Sequence, residues 1–123
     1  MAHDESLRKY SFPVAANEAL QQYKFGVVNA SGQFAVCTAS TQAPDGILQN
    51  DPGTTGFLSS IGYSGISKVL VGAAGITVGD EGMTDTTGAV TTQTAANLGT
   101  GRALYTGVSG DIIPFLLKLR NKV

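Results

Sequence analysis

Few side chains in this 123-residue chain are equipped for chemistry, and they are scattered. His3 is the single imidazole and Cys37 the single thiol. A metal centre needs several converging ligands, and His3 has no second histidine to join it. A reactive thiolate needs a histidine or a positive field beside it; no histidine is near Cys37 in sequence, so Cys37 reads as a small core side chain. Asp80 and Glu81 are adjacent carboxylates after Gly79, and such pairs can move protons or hold a hard cation. Neighbours on an extended chain point to opposite sides, however, and a solvated turn is the expectation. Val71-Gly72-Ala73-Ala74-Gly75 lacks the Gly-Lys-Ser/Thr ending of a phosphate loop. Lys68 lies in an apolar run where a lysine reaches for solvent. No residue is therefore assigned to catalysis, to a cofactor or to a metal, and the chain reads as a non-enzyme.

The elements that would position these residues are short strands. Runs of apolar and β-branched residues alternate with Gly, Asn, Asp and Pro clusters, the pattern of an all-β domain. The expected fold is a small β-barrel or sandwich of about eight or nine strands. Tyr23–Val28 and Gln33–Thr38 alternate with period two, Tyr23, Phe25 and Val27 sharing one face. Asn29-Ala30-Ser31-Gly32 supplies the hairpin between them. Further strands are expected at Gly46–Gln49, before the turn Asn50-Asp51-Pro52-Gly53, and at Phe57–Ile61 and Ile66–Val71. Glu81–Thr84 and Ala89–Thr92 flank an Asp85-Thr86-Thr87-Gly88 tip, and Thr91–Thr100 reads as a loop. Gly101–Thr106 and Asp111–Arg120 close the domain around Gly107-Val108-Ser109-Gly110.

Residues 1–22 stand apart as an N-terminal arm, with 23–123 as the β-rich domain. Pro13 interrupts Leu7, Tyr10, Phe12 and Val14, which suits an extended arm better than a buried strand. Val14–Gln22 could form a turn or two of helix.

Size and charge bound the function. The chain is one domain by length, and 16 glycines leave few large core formers. Glycine loses the most backbone entropy on folding, so burying a face against a partner would help. A formal net charge of −1 argues against a nucleic-acid partner, and no apolar stretch is long enough to span a bilayer. The start lacks the order of a signal peptide, so synthesis in a cytoplasm is the default. The charges are segregated along the chain. Asp45, Asp51, Asp80, Glu81, Asp85 and Asp111 face only Lys68 and Arg102 in the middle. Arg8, Lys9, Lys118, Arg120 and Lys122 gather at the ends. The ends are either solvated termini or a grip on an acidic partner.

Gly46-Ile47-Leu48-Gln49-Asn50-Asp51-Pro52, Gly65-Ile66-Ser67-Lys68-Val69, Gly72-Ala73, Gly79-Asp80, Gly101-Arg102-Ala103-Leu104 and a Gly-Asp turn before a final apolar strand form an ordered series. Over roughly residues 23–120 this series resembles the small capsid cement, or decoration, proteins of tailed bacteriophages. The resemblance implies a protein made in the host cytoplasm and placed on the outer capsid surface. There it would bind the major capsid protein and itself, as a homotrimer at local threefold positions, and cement the shell against the pressure of packaged DNA. The first 22 residues fall outside the resemblance. Partner contacts are therefore expected from composition at Leu7, Arg8, Lys9, Tyr10, Phe12, Lys118, Arg120 and Lys122, and self-association at Ile112 and Leu116. The alternative is a biotinyl- or lipoyl-like barrel-sandwich carrier, whose Val-x-x-Gly-Asp turn Val78-Gly79-Asp80 partly imitates. Carriers present a lysine at a hairpin tip, whereas Lys68 lies among Ile66, Val69 and Leu70.

Overall fold

A computed structural model describes residues 7–14, 21–50, 58–94 and 99–119. These carry nine strands: β1 (Arg8–Pro13), β2 (Phe25–Val28), β3 (Phe34–Val36), β4 (Gly46–Leu48), β5 (Leu58–Leu70), β6 (Glu81–Thr84), β7 (Val90–Thr92), β8 (Gly101–Ala103) and β9 (Ile112–Lys118). They form one antiparallel sheet in the order β3-β2-β4-β5-β9-β8-β6-β7, with β1 also paired to β5. The sheet curls into a half-barrel, and its two ends are tied by a backbone bond from the Phe25 N–H to the Gly88 carbonyl at 2.7 Å. The expected all-β fold is the one observed. The short helix expected over Val14–Gln22 and the turn from Asp51 onward lie largely outside the described residues.

Turn chemistry sets the local geometry. The Asn29 side chain accepts from the backbone N–H groups of Ser31 and Gln33 at 2.9 and 3.0 Å. Gly32 then takes φ 76° and returns the chain into β3, a conformation that costs glycine little. At the next tip, Asp85 Oδ1 accepts from the N–H groups of Thr87 and Ala89 at 2.8 and 3.1 Å.

Three expectations need correction. Tyr23 does not share a strand with Phe25 and Val27. It takes φ 69° in a turn before β2, held by its N–H donating to Leu48 and its carbonyl accepting from Leu70. The two strands expected around Ile61 and Ile66 are one 13-residue strand, β5. Its alternation changes phase on the way. Gly62 lies opposite core-facing Ile47, whereas further on Ser67 and Val69 are the buried residues. Gly65, at φ 106°, lies between the two phases. Lastly, Arg8–Pro13 is extended as expected but lies within the sheet, registered from Arg8↔Ser64 to Pro13↔Leu58. Pro13 is tolerated because it ends the strand, where no ladder donor is required.

Two apolar clusters result. The main one joins Phe25, Cys37, Ile47, Val69, Val71, Val90, Ile113, Phe115 and Leu117, among others. The second joins Phe34, Leu48 and Ile61 beneath Tyr10, Phe12 and Val28. β1 therefore covers part of the chain's own core. Tyr10 stacks on Tyr63 at 5.0 Å between ring centroids and donates its hydroxyl to the Asp45 carbonyl at 2.6 Å.

Burial, with smaller contributions from Asp45 and Tyr63, raises the Tyr10 pKa above its ordinary value. A raised phenol pKa means that folding favours the protonated form. Its stabilisation is full below the unfolded value of about 10 and is lost as pH rises through the folded value. Denaturant melts from pH 8 to 11 should therefore show alkaline destabilisation that is smaller in Tyr10→Phe. At pH 8 that variant should be about 1 kcal/mol less stable through loss of the hydrogen bond. An identical alkaline slope in both proteins would show that Tyr10 is not the responsible group.

Candidate partner-binding surface

Strand β9 alternates cleanly. Ile113, Phe115 and Leu117 are buried, while Ile112, Pro114, Leu116 and Lys118 are exposed. Cross-strand partners project to the same side of a sheet, so the register assembles an outer face in rows. Ile66 lies opposite Leu116, Leu116 opposite Arg102, and Arg102 opposite Glu81. The next row on β5 and β9 pairs Lys68 with Pro114, and the last pairs Leu70 with Ile112. Ile66, Ile112 and Leu116 are 45%, 52% and 39% exposed. This apolar strip is water-facing in the single chain. One side of the half-barrel is filled by its own core, and among the described residues nothing covers Ile112, Pro114 and Leu116 on the other side of β9.

Cations frame the strip. Ser64 has Arg8 opposite it on β1 and Lys118 opposite it on β9. Residues 110 positions apart, near the two ends of the chain, are thus brought to one place by a shared partner strand. Lys68 lies on the same face, its Nζ 5.8 Å from the Tyr23 ring centroid. The acids are used differently. Asp80, Asp85 and Asp111 each accept from backbone N–H groups in their own turns, and Asp45 accepts from the Val28 N–H of β2. Near-neutrality overall therefore conceals a separation: most described aspartates hold backbone N–H groups, while the cations stand on the outer face with Glu81.

A groove of about 440 Å³ opens beside the strip, lined by Glu81, Gly101, Arg102, Leu116, Lys118 and Leu119. Gly101 lies at its base with φ 148°. A Cβ there would run into the Leu116 carbonyl and lie 2.9 Å from the Phe115 ring. A side chain at this position would be strained, and its absence makes room for the buried Phe115 ring.

The contact residues expected from sequence divide into groups. Arg8, Lys9 and Lys118 are exposed. Leu7 is half-buried against the main core, and Tyr10 and Phe12 are half-buried against the second cluster, so these three anchor β1 to its own chain. Arg120, Lys122 and His3 lie outside the described residues. Ile112 and Leu116 share the outer face, as self-association requires. Ile66 and Arg102 join them there and were missed. Their alternation with buried neighbours was visible, but only the strand register shows which residues they accompany.

No cluster of three or more His, Cys, Asp or Glu side chains able to hold a metal occurs among the described residues. Lys68 lies inside β5 opposite Pro114, not at a hairpin tip where a carrier lysine would sit. Cys37 is fully buried in the main core.

No family model matches the chain, and no curated protein matches it in sequence. Among solved structures it is similar to the N base of the head fiber protein gp8.5 of bacteriophage phi29. The TM-score is 0.68 at 17% identity, over 94% of this chain and 100% of that one. What this chain shares with that head fiber base is its fold.

Proposed function

We propose that this protein is a structural component of a bacteriophage particle, seated on the outside of the shell and cementing neighbouring major capsid proteins. The observation that carries this reading is the unpartnered outer face, an apolar strip framed by cations, on a fold shared with a phage head fiber base. The ordered turn series that resembles capsid cement proteins supports it from the sequence side. Copies would associate with one another through Ile112 and Leu116, as the homotrimer that the resemblance implies. Arg8, Lys9 and Lys118, with Arg120 and Lys122 beyond them, would meet acidic capsid surface.

The physics of cementing requires little of each copy. A protein that binds the assembled lattice but not free subunits stabilises the lattice by mass action. Linked contacts from an associated set of copies raise avidity without strong individual contacts.

The test is co-sedimentation of the purified protein with shells assembled from the major capsid protein encoded in the same genome. Saturable binding that raises the shells' melting temperature is expected. Binding should weaken as salt rises, because exposed charges are screened beyond about 8 Å at physiological ionic strength. The Lys118→Glu, Arg120→Glu, Lys122→Glu triple variant should leave shells while keeping its fold, since surface changes cost within about 0.5 kcal/mol. Absence of binding at any salt concentration, or full occupancy with no gain in shell stability, would overturn the cementing role.

A further inference from the structure

We infer that the groove between β8 and β9 binds an extended acidic segment of a partner protein, one with carboxylates at alternate positions. This deepens the reading of the outer face as partner-binding, and it holds whether or not the partner is a capsid.

The argument begins with two cations on neighbouring strands. Arg102 lies opposite Leu116, and Lys118 follows two residues later on β9, its N–H donating to the Thr100 carbonyl at 2.9 Å. They are therefore diagonal neighbours on one face, roughly 7–8 Å apart. Both line the same groove and both are exposed. Among the described residues neither side chain has an ion pair or hydrogen-bond partner. Among the described residues Glu81 is the single acid lining the groove, and it stands opposite Arg102.

An extended peptide supplies the complementary spacing. Its residues rise about 3.3 Å each and alternate sides, so carboxylates at i and i+2 point the same way about 6.6 Å apart. That separation matches the diagonal from Arg102 to Lys118. Leu116 and Leu119 provide apolar surface beside the cations, which excludes water from the charge pairs and strengthens them. A nucleic acid fits less well. Phosphate binding relies on many cations along a track, and this groove has two beside an acid.

The probe is an end-blocked heptapeptide, Ser-Asp-Ala-Asp-Ala-Leu-Ser, titrated into the isotope-labelled full chain and followed by amide chemical shifts. The control peptide replaces both Asp by Asn. Shifts centred on Glu81, Gly101, Arg102, Leu116 and Lys118 are expected, shrinking with added salt and absent with the control. Arg102→Glu or Lys118→Glu should each weaken binding about tenfold, and the milder Arg102→Gln and Lys118→Gln less, with unchanged spectra elsewhere as the check on folding. No shifts, or equal shifts from the control, would overturn the inference. Shells that bind the wild type while the peptide produces no shifts would remove the acidic-segment groove and leave the capsid reading standing. Peptide binding without shell binding would do the reverse.

Discussion

Replacing Phe115 by alanine should lower the unfolding free energy by about 3–5 kcal/mol, a large share of the roughly 5–15 kcal/mol that holds a domain together. At roughly 4 °C per kcal/mol, between the ranges for smaller and larger domains, the melting midpoint would fall by roughly 12–20 °C. Phe115 is fully buried and meets Phe25 edge-on, with ring centroids 6.1 Å apart. Two glycines on neighbouring strands are shaped around it. A Cβ at Gly82 would lie 2.8 Å from the ring, and one at Gly101 would lie 2.9 Å from it. The ring occupies space that any other residue on β6 or β8 would claim. This arrangement makes a test of their coupling available. Gly82→Ala alone should destabilise by overpacking, by roughly 1–3 kcal/mol. In the Phe115→Ala background the same change should cost less, because the new methyl enters the vacated space. Val90 Cγ2, 2.7 Å from that Cβ position, limits the relief. Calorimetric melts of the four proteins give the coupling directly. Effects that add within about 0.3–0.5 kcal/mol would show that the glycine and the ring are not fitted to each other.

Reversing the outer strip should have an equally large effect on assembly and almost none on folding. Ile112→Asp with Leu116→Asp places two carboxylates at positions that are 52% and 39% exposed. In the single chain these side chains face water, so the melting temperature should move little. In an associated set of copies they would lie at the contact. Buried, unpaired carboxylates are strongly penalised, and like charges brought together by symmetry add to the cost. Light scattering should therefore give the wild type a mass of several chains at high concentration and the double variant a mass of one. The double variant should also occupy shells poorly at concentrations that saturate the wild type, through loss of avidity. A wild type that remains a single chain at high concentration and on shells would remove self-association from the proposed role. A double variant that unfolds would instead place these residues in the core, against their exposure here.

The strand inventory and the turns were legible from sequence because each depends on residues close together in the chain. Asn29 reaches Ser31 and Gln33, and Asp85 reaches Thr87 and Ala89. Such interactions span two to four residues, so composition at the turn is enough to reveal them. The inner face of β9 was equally legible, since Ile113, Phe115 and Leu117 repeat with the period of the pleat. Pairing across long separations was not. Tyr10 meets the Asp45 carbonyl across 35 residues, and Ser59 donates to Phe12 across 47. No local signal distinguishes a strand that joins such a ladder from an arm that lies free. Local pattern thus carried the all-β class, most of the turns and the inward stripe on β9. It took the folded sheet to show that β1 enters it, that Arg8 and Lys118 converge on Ser64, and that Arg102 and Lys118 line one groove. Those juxtapositions follow from register, and register is set by packing among residues far apart in the chain.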